Sequence, residues 1–198
     1  MLLRHGRTEW NASLRIQGQL QVELDAVGRA QAEAVAPAVA RLDPALLWSS
    51  DLLRARATAD YVAAATGLTL VEDARLREFH LGERQGLTHA EYAELAPEEF
   101  ESFRAGEWQQ VPGAEKVQEV ADRFVACLRD LATALGAGET GVAVSHGAAI
   151  RVGLVGFLGW PLEIVRDFRA LGNCNRVELV ERESGRWALA TYNVSAVE

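Results

Sequence analysis

Cysteine is almost missing from this sequence. The two that occur, Cys127 and Cys174, are too few for a disulfide framework and do not have a zinc-ligand spacing. Cys127 falls inside a helical pattern and reads as a small core residue, and the scarcity fits a reducing, cytoplasmic setting. Long apolar runs are missing too. No 18-residue stretch would span a bilayer, and Met1-Leu2-Leu3 gives way to charge at once, which does not read as a signal peptide. Positive charge is in deficit: 20 basic against 28 acidic side chains leave a formal net charge of −8. This argues against nucleic acid or an anionic membrane surface as the main partner, since both need a broad basic footprint. Neither GxGxxG nor a GxxxxGK loop occurs, so the two common nucleotide-binding loops are absent.

What is present describes one folded domain over residues 1–198, with 49% hydrophobic and 24% charged residues, enough for a well-buried core. Short apolar runs alternate with helical patterns, as in an α/β fold. Strands are expected over Met1–Leu3, Ala45–Trp48, Leu68–Val71, Val142–Val144, Arg176–Val180 and Trp187–Tyr192. The last two flank Glu183-Ser184-Gly185 and read as a hairpin, which implies one antiparallel edge strand. A helix from about Asp25 to Leu42 should be kinked or split by Pro37, and another runs from a Ser50/Asp51 cap to Thr66 and stops at Gly67. Val117, Val120, Phe124, Leu128, Leu131 and Leu135 mark an amphipathic helix ended by Gly136. Ala148–Leu158 reads as a buried helix in which Gly153, Gly156 and Gly159 permit close packing. The Glu- and aromatic-rich stretch 88–110 reads as a helical excursion over one end of the sheet. The expected architecture is a three-layer sandwich: a mostly parallel six-stranded sheet with one antiparallel edge strand and helices on both faces.

Charged residues collect where strands end. Met1–Leu3 leads into Arg4-His5-Gly6, Ala45–Trp48 into Ser49-Ser50-Asp51 with Arg54 close behind, and Val142–Val144 into Ser145-His146-Gly147. In a parallel sheet these ends share the carboxyl edge, where open α/β folds bind ligands. First-turn side chains lean back toward a helix N-terminus, so Arg54 reaches the same crevice, and helix N-termini there favour an anion. Cations around an imidazole disfavour its protonation, leaving a ring nitrogen free to act as nucleophile. Each residue alone has a plainer reading, as a solvated histidine or an exposed arginine. Two histidines and two arginines arriving independently at one edge favour a phosphate-handling site. A metal held by His5, His146 and Glu78 is the alternative, but a divalent cation and arginines repel in one pocket and no paired carboxylates or HExxH-type spacing supports it.

With those residues placed, the chain resembles the histidine phosphatase superfamily, phosphoglycerate mutase-like branch, along its length. The resemblance rests on Leu3-Arg4-His5-Gly6-Arg7-Thr8-Glu9-Trp10-Asn11; on Ser49-Ser50-Asp51-Leu52-Leu53-Arg54-Ala55; on Leu76-Arg77-Glu78; and on Ser145-His146-Gly147 followed by Ile150-Arg151. It implies that His5 attacks phosphorus in line to form a phosphohistidine, with no metal and no cofactor. Arg4, Arg54 and His146 would bind the phosphoryl oxygens. Arg7, Thr8, Asn11, Gln17 and Gly18 would complete the substrate cradle. Glu78 would protonate the leaving oxygen and then deprotonate the attacking water. Without the resemblance, Glu78 would read as a surface carboxylate paired with Arg75 or Arg77.

The resemblance implies a small phosphorylated metabolite as partner, and leaves the hairpin edge as a surface for a homodimer. Gln21, Glu23, Arg84 and the run Pro112–Lys116 depart from the family wording, at positions expected to border the substrate. A mutase must exclude water. The short 88–110 stretch and the chain's end at Glu198, soon after its last strand, favour a metal-independent phosphomonoesterase over a phosphoglycerate mutase. The presence of both His5 and Glu78 disfavours a binding-only pseudophosphatase. Gln17-Gly18-Gln19-Leu20, His80-Leu81-Gly82 and Gln85-Gly86-Leu87-Thr88-His89 are similar to the wording of glucosyl-3-phosphoglycerate phosphatases, and His80 and His89 are candidate substrate contacts.

Overall fold

Alternation along the central strands divides the interior into two layers. The computed structural model describes residues 1–195, without the side chain of Gln109. Its six strands are β1 (Leu2–Arg4), β2 (Pro44–Ser49), β3 (Leu70–Glu72), β4 (Thr140–Ser145), β5 (Arg176–Glu181) and β6 (Trp187–Val194). Its α-helices are α1 (Glu9–Ala12), α2 (Ala26–Ala40), α3 (Leu53–Thr66), α4 (His89–Leu95), α5 (Pro97–Arg104), α6 (Val117–Thr133) and α7 (Gly147–Phe157). Leu3, Leu47, Val142 and Val144 face α2 and α3, whereas Leu2, Ala143 and Val177 face α6 and α7. Successive strand side chains point to opposite faces, so a sheet buried on both sides needs this continuous apolar run.

The strand order is β3-β2-β4-β1-β5-β6. The pairs β1–β4, β2–β4 and β2–β3 are parallel; β5 runs against both β1 and β6, so the antiparallel pair lies at one edge as expected. Arg4 stands opposite Ser145, and Ser49 opposite Val144. This register sets the carboxyl ends of β1, β2 and β4 side by side, and with them Arg4-His5, Ser49-Ser50 and Ser145-His146.

Three local expectations fail, each for a physical reason. Helix α2 is neither split nor ended by Pro37, since buried Val35, Ala36 and Val39 hold its last turn against the core and the Arg41 N–H donates to the Pro37 carbonyl at 3.1 Å. Packing overrides the lost backbone bond. Ser50 and Asp51 do not cap α3. Leu52 occupies the N-cap without a side-chain bond, and Gln21 Oε1 accepts from the Leu53 N–H at 3.0 Å instead. Gly67 does stop α3, at φ +73°, the left-handed region that favours glycine. Of the three glycines of the buried helix, Gly153 and Gly156 meet α6, and a Cβ on Gly153 would lie 2.1 Å from the Phe124 ring. Gly159 meets nothing within 4 Å and turns the chain at φ +70°.

Candidate active site

The three strand ends open on a cavity of about 490 Å³. Arg4, His5, Asn11, Gln17, Gly18, Arg54 and Glu78 line it, together with Phe103, Arg104, Trp108, Arg151 and Arg166 further out. The far wall thus comes from helix α5, from the turn Trp108–Gln110 and from the segment Leu162–Asp167.

His5 lies at the floor, 3% exposed. Its Nδ1–H donates to the Gly6 carbonyl at 2.7 Å, which leaves the lone pair on Nε2. Burial pushes its pKa well below the ordinary histidine value, and Arg54 and Arg4 add to the effect. The cations matter as the sequence implies, but withdrawal from water matters more. Gly6 is held by its N–H to Thr58 Oγ1 at 3.0 Å, and a Cβ there would lie 2.5 Å from the Gly28 carbonyl, so the loop rests directly on α2. His146 stacks obliquely behind His5, ring centroids 5.2 Å apart. It is fully buried and outside the cavity lining; Nε2 meets Ser50 Oγ at 2.9 Å, and Nδ1 has no partner among the described residues. Burial lowers its pKa well below the usual value as well, reinforced by Arg54, His5 and Arg4.

Arg54 is 1% exposed and meets no carboxylate among the described residues. Its Nη2 and Nη1 donate to the carbonyls of Gly18 at 2.7 Å and Leu20 at 3.0 Å, while Nε stays buried without a partner. Burial depresses its pKa to about 10, with Glu78 opposing and Arg4 adding. Arg4 Nη1 donates to the Leu171 carbonyl and its Nε is likewise unpartnered. A buried and a half-buried guanidinium without a counter-ion among the described residues are costly, and their open donors suit an anion bound between them.

Glu78 pairs with neither Arg75 nor Arg77. Arg75 holds Asp73 and Asp130, and Arg77 holds Asp51. The Glu78 carboxylate instead accepts N–H bonds from Ala148 at 3.1 Å and Ala149 at 2.9 Å at the start of α7, and from Phe79 at 3.0 Å. Among the described residues, no group of three or more metal-ligating side chains has a geometry to hold a metal.

Two expected substrate contacts lie outside the lining. Arg7 turns away to Asp25, the cap of α2, with Nε to Oδ2 at 2.8 Å. Thr8 is fully buried and faces Asn11 Oδ1 and Gln17 Oε1, each at 3.1 Å. With those amide oxygens engaged, the NH₂ groups of Asn11 and Gln17 are what an anion would meet. Gly18, at φ +50°, is in the lining, and a Cβ there would lie 2.0 Å from Gln85 Oε1. His89 reaches the cavity, edge-on to Phe100 and Phe103, whereas His80 is exposed and bonded to the 113 carbonyl. The departures from family wording do not border the cavity as expected. Gln21 caps α3, Arg84 pairs with Glu99 under Tyr92, and the Lys116 N–H starts α6 by donating to Glu119. Sequence reasoning missed the loop 171–175, where Asn173 Nδ2 donates to the His5 carbonyl at 3.0 Å and to Asn11 Oδ1 at 3.3 Å. The turn-forming run Gly172-Asn173-Cys174-Asn175 was the available signal.

Residues 1–195 match the model of the histidine phosphatase superfamily (branch 1). The chain is an enzyme of this superfamily. It is 37% identical over 212 residues to the glucosyl-3-phosphoglycerate phosphatase of Mycolicibacterium vanbaalenii, covering 99% of this chain and 94% of that one. A probable phosphoglycerate mutase of Yersinia pestis is 39% identical over 200 residues, covering 98% and 90%. Among solved structures, a mycobacterial glucosyl-3-phosphoglycerate phosphatase complexed with VO3 superposes with a TM-score of 0.91 at 37% identity, covering 98% of each chain. No helix of the described residues is long and apolar enough to cross a membrane.

Proposed function

We propose that this histidine phosphatase is a metal-independent phosphomonoesterase that works through a phosphohistidine at His5, on a phosphorylated glycerate bearing a sugar. The observation that carries the chemistry is the buried His5, whose Nδ1–H faces the Gly6 carbonyl and leaves Nε2 free in a cavity lined by Arg4 and Arg54, neither of which pairs with a carboxylate among the described residues. Nε2 attacks phosphorus as the ester P–O bond breaks, and Glu78 carrying a proton gives it to the departing oxygen. Glu78, now a carboxylate, takes a proton from water; the hydroxide oxygen bonds to phosphorus and His5 leaves as the neutral imidazole. Arg4 and Arg54, with the amides of Asn11 and Gln17, stabilise charge on the equatorial oxygens throughout, and His146, behind His5 and outside the cavity lining, backs the imidazole ring.

The substrate reading draws on the outer cavity and on the relatives. The named phosphatase relatives act on glucosyl-3-phosphoglycerate, and the cavity of about 490 Å³ continues well past a single phosphoryl group. Its outer wall pairs aromatic faces, Phe103 and Trp108, with the cations Arg104, Arg151 and Arg166. A sugar ring lies against aromatic surface, and a carboxylate faces guanidinium. The second reading, a mutase that returns the phosphoryl group to an isomeric hydroxyl, has the Yersinia relative in its favour. The exposed rim residues Arg104, Ala105, Arg166 and Ala170 give water a route to His5, which favours hydrolysis. Phosphate release should be measured for glucosyl-3-phosphoglycerate, 3-phosphoglycerate and simple phosphomonoesters beside a mutase assay. The expected result is fastest release from the glucosylated ester; interconversion of 2- and 3-phosphoglycerate faster than hydrolysis would overturn it.

A further inference from the structure

Arg123, in the second turn of α6, uses all five of its N–H donors. Nε donates to Glu115 Oε1 at 3.0 Å and Nη2 to Glu115 Oε2 at 3.0 Å; Nη1 donates to the carbonyls of Arg75 at 2.8 Å and Arg77 at 2.7 Å. The remaining Nη2 hydrogen goes to the carbonyl of Glu78 itself, at 3.0 Å. Glu115 Oε2 extends the frame by accepting from the His80 N–H at 2.7 Å and from Gln19 Nε2 at 3.2 Å, and Gln19 Nε2 also reaches the Glu78 carbonyl at 3.0 Å. Arg123 is thus bonded to the main chain on both sides of Glu78 without entering the cavity lining.

The side chain of Glu78 is fixed from a second direction, by the N–H groups of Ala148 and Ala149 at the start of α7. The two helices that hold it are packed on each other beside the clamp. Phe124, next to Arg123, fills the space that a side chain on Gly153 of α7 would need, and Val125 lies against Gly156. The backbone of Glu78 is therefore referred to α6, its carboxylate to α7, and the distance between them to the Phe124–Gly153 contact. A planar guanidinium can meet three carbonyls and a carboxylate together; an ammonium has three donors and no fixed plane.

We propose that Arg123 is a positioning residue for catalysis, locking the Arg75–Glu78 segment so that the Glu78 carboxyl meets the leaving oxygen. This rests on the acid role given to Glu78 above. General-acid help matters for alkoxide leaving groups and hardly at all for nitrophenolate, and a merely structural role would not make that distinction. The test compares kcat/KM, which reports the steps up to phosphohistidine formation and leaves out the water-activating step common to all substrates, for 3-phosphoglycerate and p-nitrophenyl phosphate in the wild type, Arg123→Gln, Arg123→Lys, Glu78→Gln and the double variant Arg123→Gln/Glu78→Gln. Arg123→Gln is expected to lose about tenfold or more in kcat/KM on 3-phosphoglycerate and no more than about threefold on p-nitrophenyl phosphate. Arg123→Lys should recover only part of the loss, and the double variant should be no slower than Glu78→Gln alone. Equal losses on the two substrates, or additive losses in the double variant, would overturn the proposal. If Arg123→Gln does not fold, Glu115→Gln, which keeps the three carbonyl bonds, should show the same preference at smaller size, and no preference there overturns it too. Failure of the acid reading itself has a separate sign: Glu78→Gln would slow both substrates alike.

Discussion

At His5, two separate causes keep the imidazole neutral, and both leave the same nitrogen for attack: burial first, then the neighbouring Arg54 and Arg4. His146 is depressed by burial too, and His89 by burial and Arg104. The unfolded chain binds these protons near pH 6.5 while the folded chain does not. Their contribution is therefore complete above pH 6.5 and is lost as pH falls toward the depressed folded values. Urea unfolding between pH 7.5 and 5.5 should show stability falling by up to about 1.4 kcal/mol per pH unit for each buried histidine, and a flat profile would contradict their burial as neutral rings. Arg54 supplies a second test at this scale. Its fork already serves two carbonyls, so Arg54→Lys keeps the charge but not the geometry, and kcat/KM should fall about 10²- to 10³-fold, as for loss of an oxyanion donor. A loss of less than threefold in steady-state kinetics would remove Arg54 from the phosphoryl site.

The elements are legible in the sequence to different depths. Short apolar runs and Gly67 mark the strands and the end of α3 because both are local signals. The strand ends of β1, β2 and β4 bring His5, Arg54 and His146 together by topology alone, and the motif wording points to Glu78. Contacts that depend on packing between distant segments stay hidden: Asp25 claiming Arg7, Arg77 claiming Asp51, and Asn173 reaching the His5 carbonyl from a later loop. The α6–α7 packing belongs to this scale as well. Gly153→Ala gains about 1 kcal/mol of helix propensity, but its methyl would lie 2.1 Å from the Phe124 ring. Overpacking costs about 1–3 kcal/mol and wins, so thermal denaturation should show a lower Tm. A raised Tm would mean that the two helices are not pressed together there.

Over the whole molecule, charge is arranged by contrast. The chain is net −8, and Lys116 is its single lysine, so the cations near the cavity are all arginine. Charges beyond about 8–10 Å are screened, so the acidic surface does not cancel the pocket's attraction for a phosphoryl group. Inorganic phosphate at 100 times its Kd should therefore stabilise the fold by about 2.7 kcal/mol in denaturant titrations, and EDTA should change neither stability nor turnover. Turnover abolished by EDTA and restored by a divalent ion would remove the metal-free reading. The central claim, phosphoryl transfer through His5, is tested most directly by mixing enzyme with a phosphoryl-labelled substrate, quenching within the first turnover, and following the stability of the labelled protein. The expected product is a phosphoprotein that survives alkali, is lost in acid, and is absent in His5→Ala. An acid-stable label, or one that persists in His5→Ala, would contradict it.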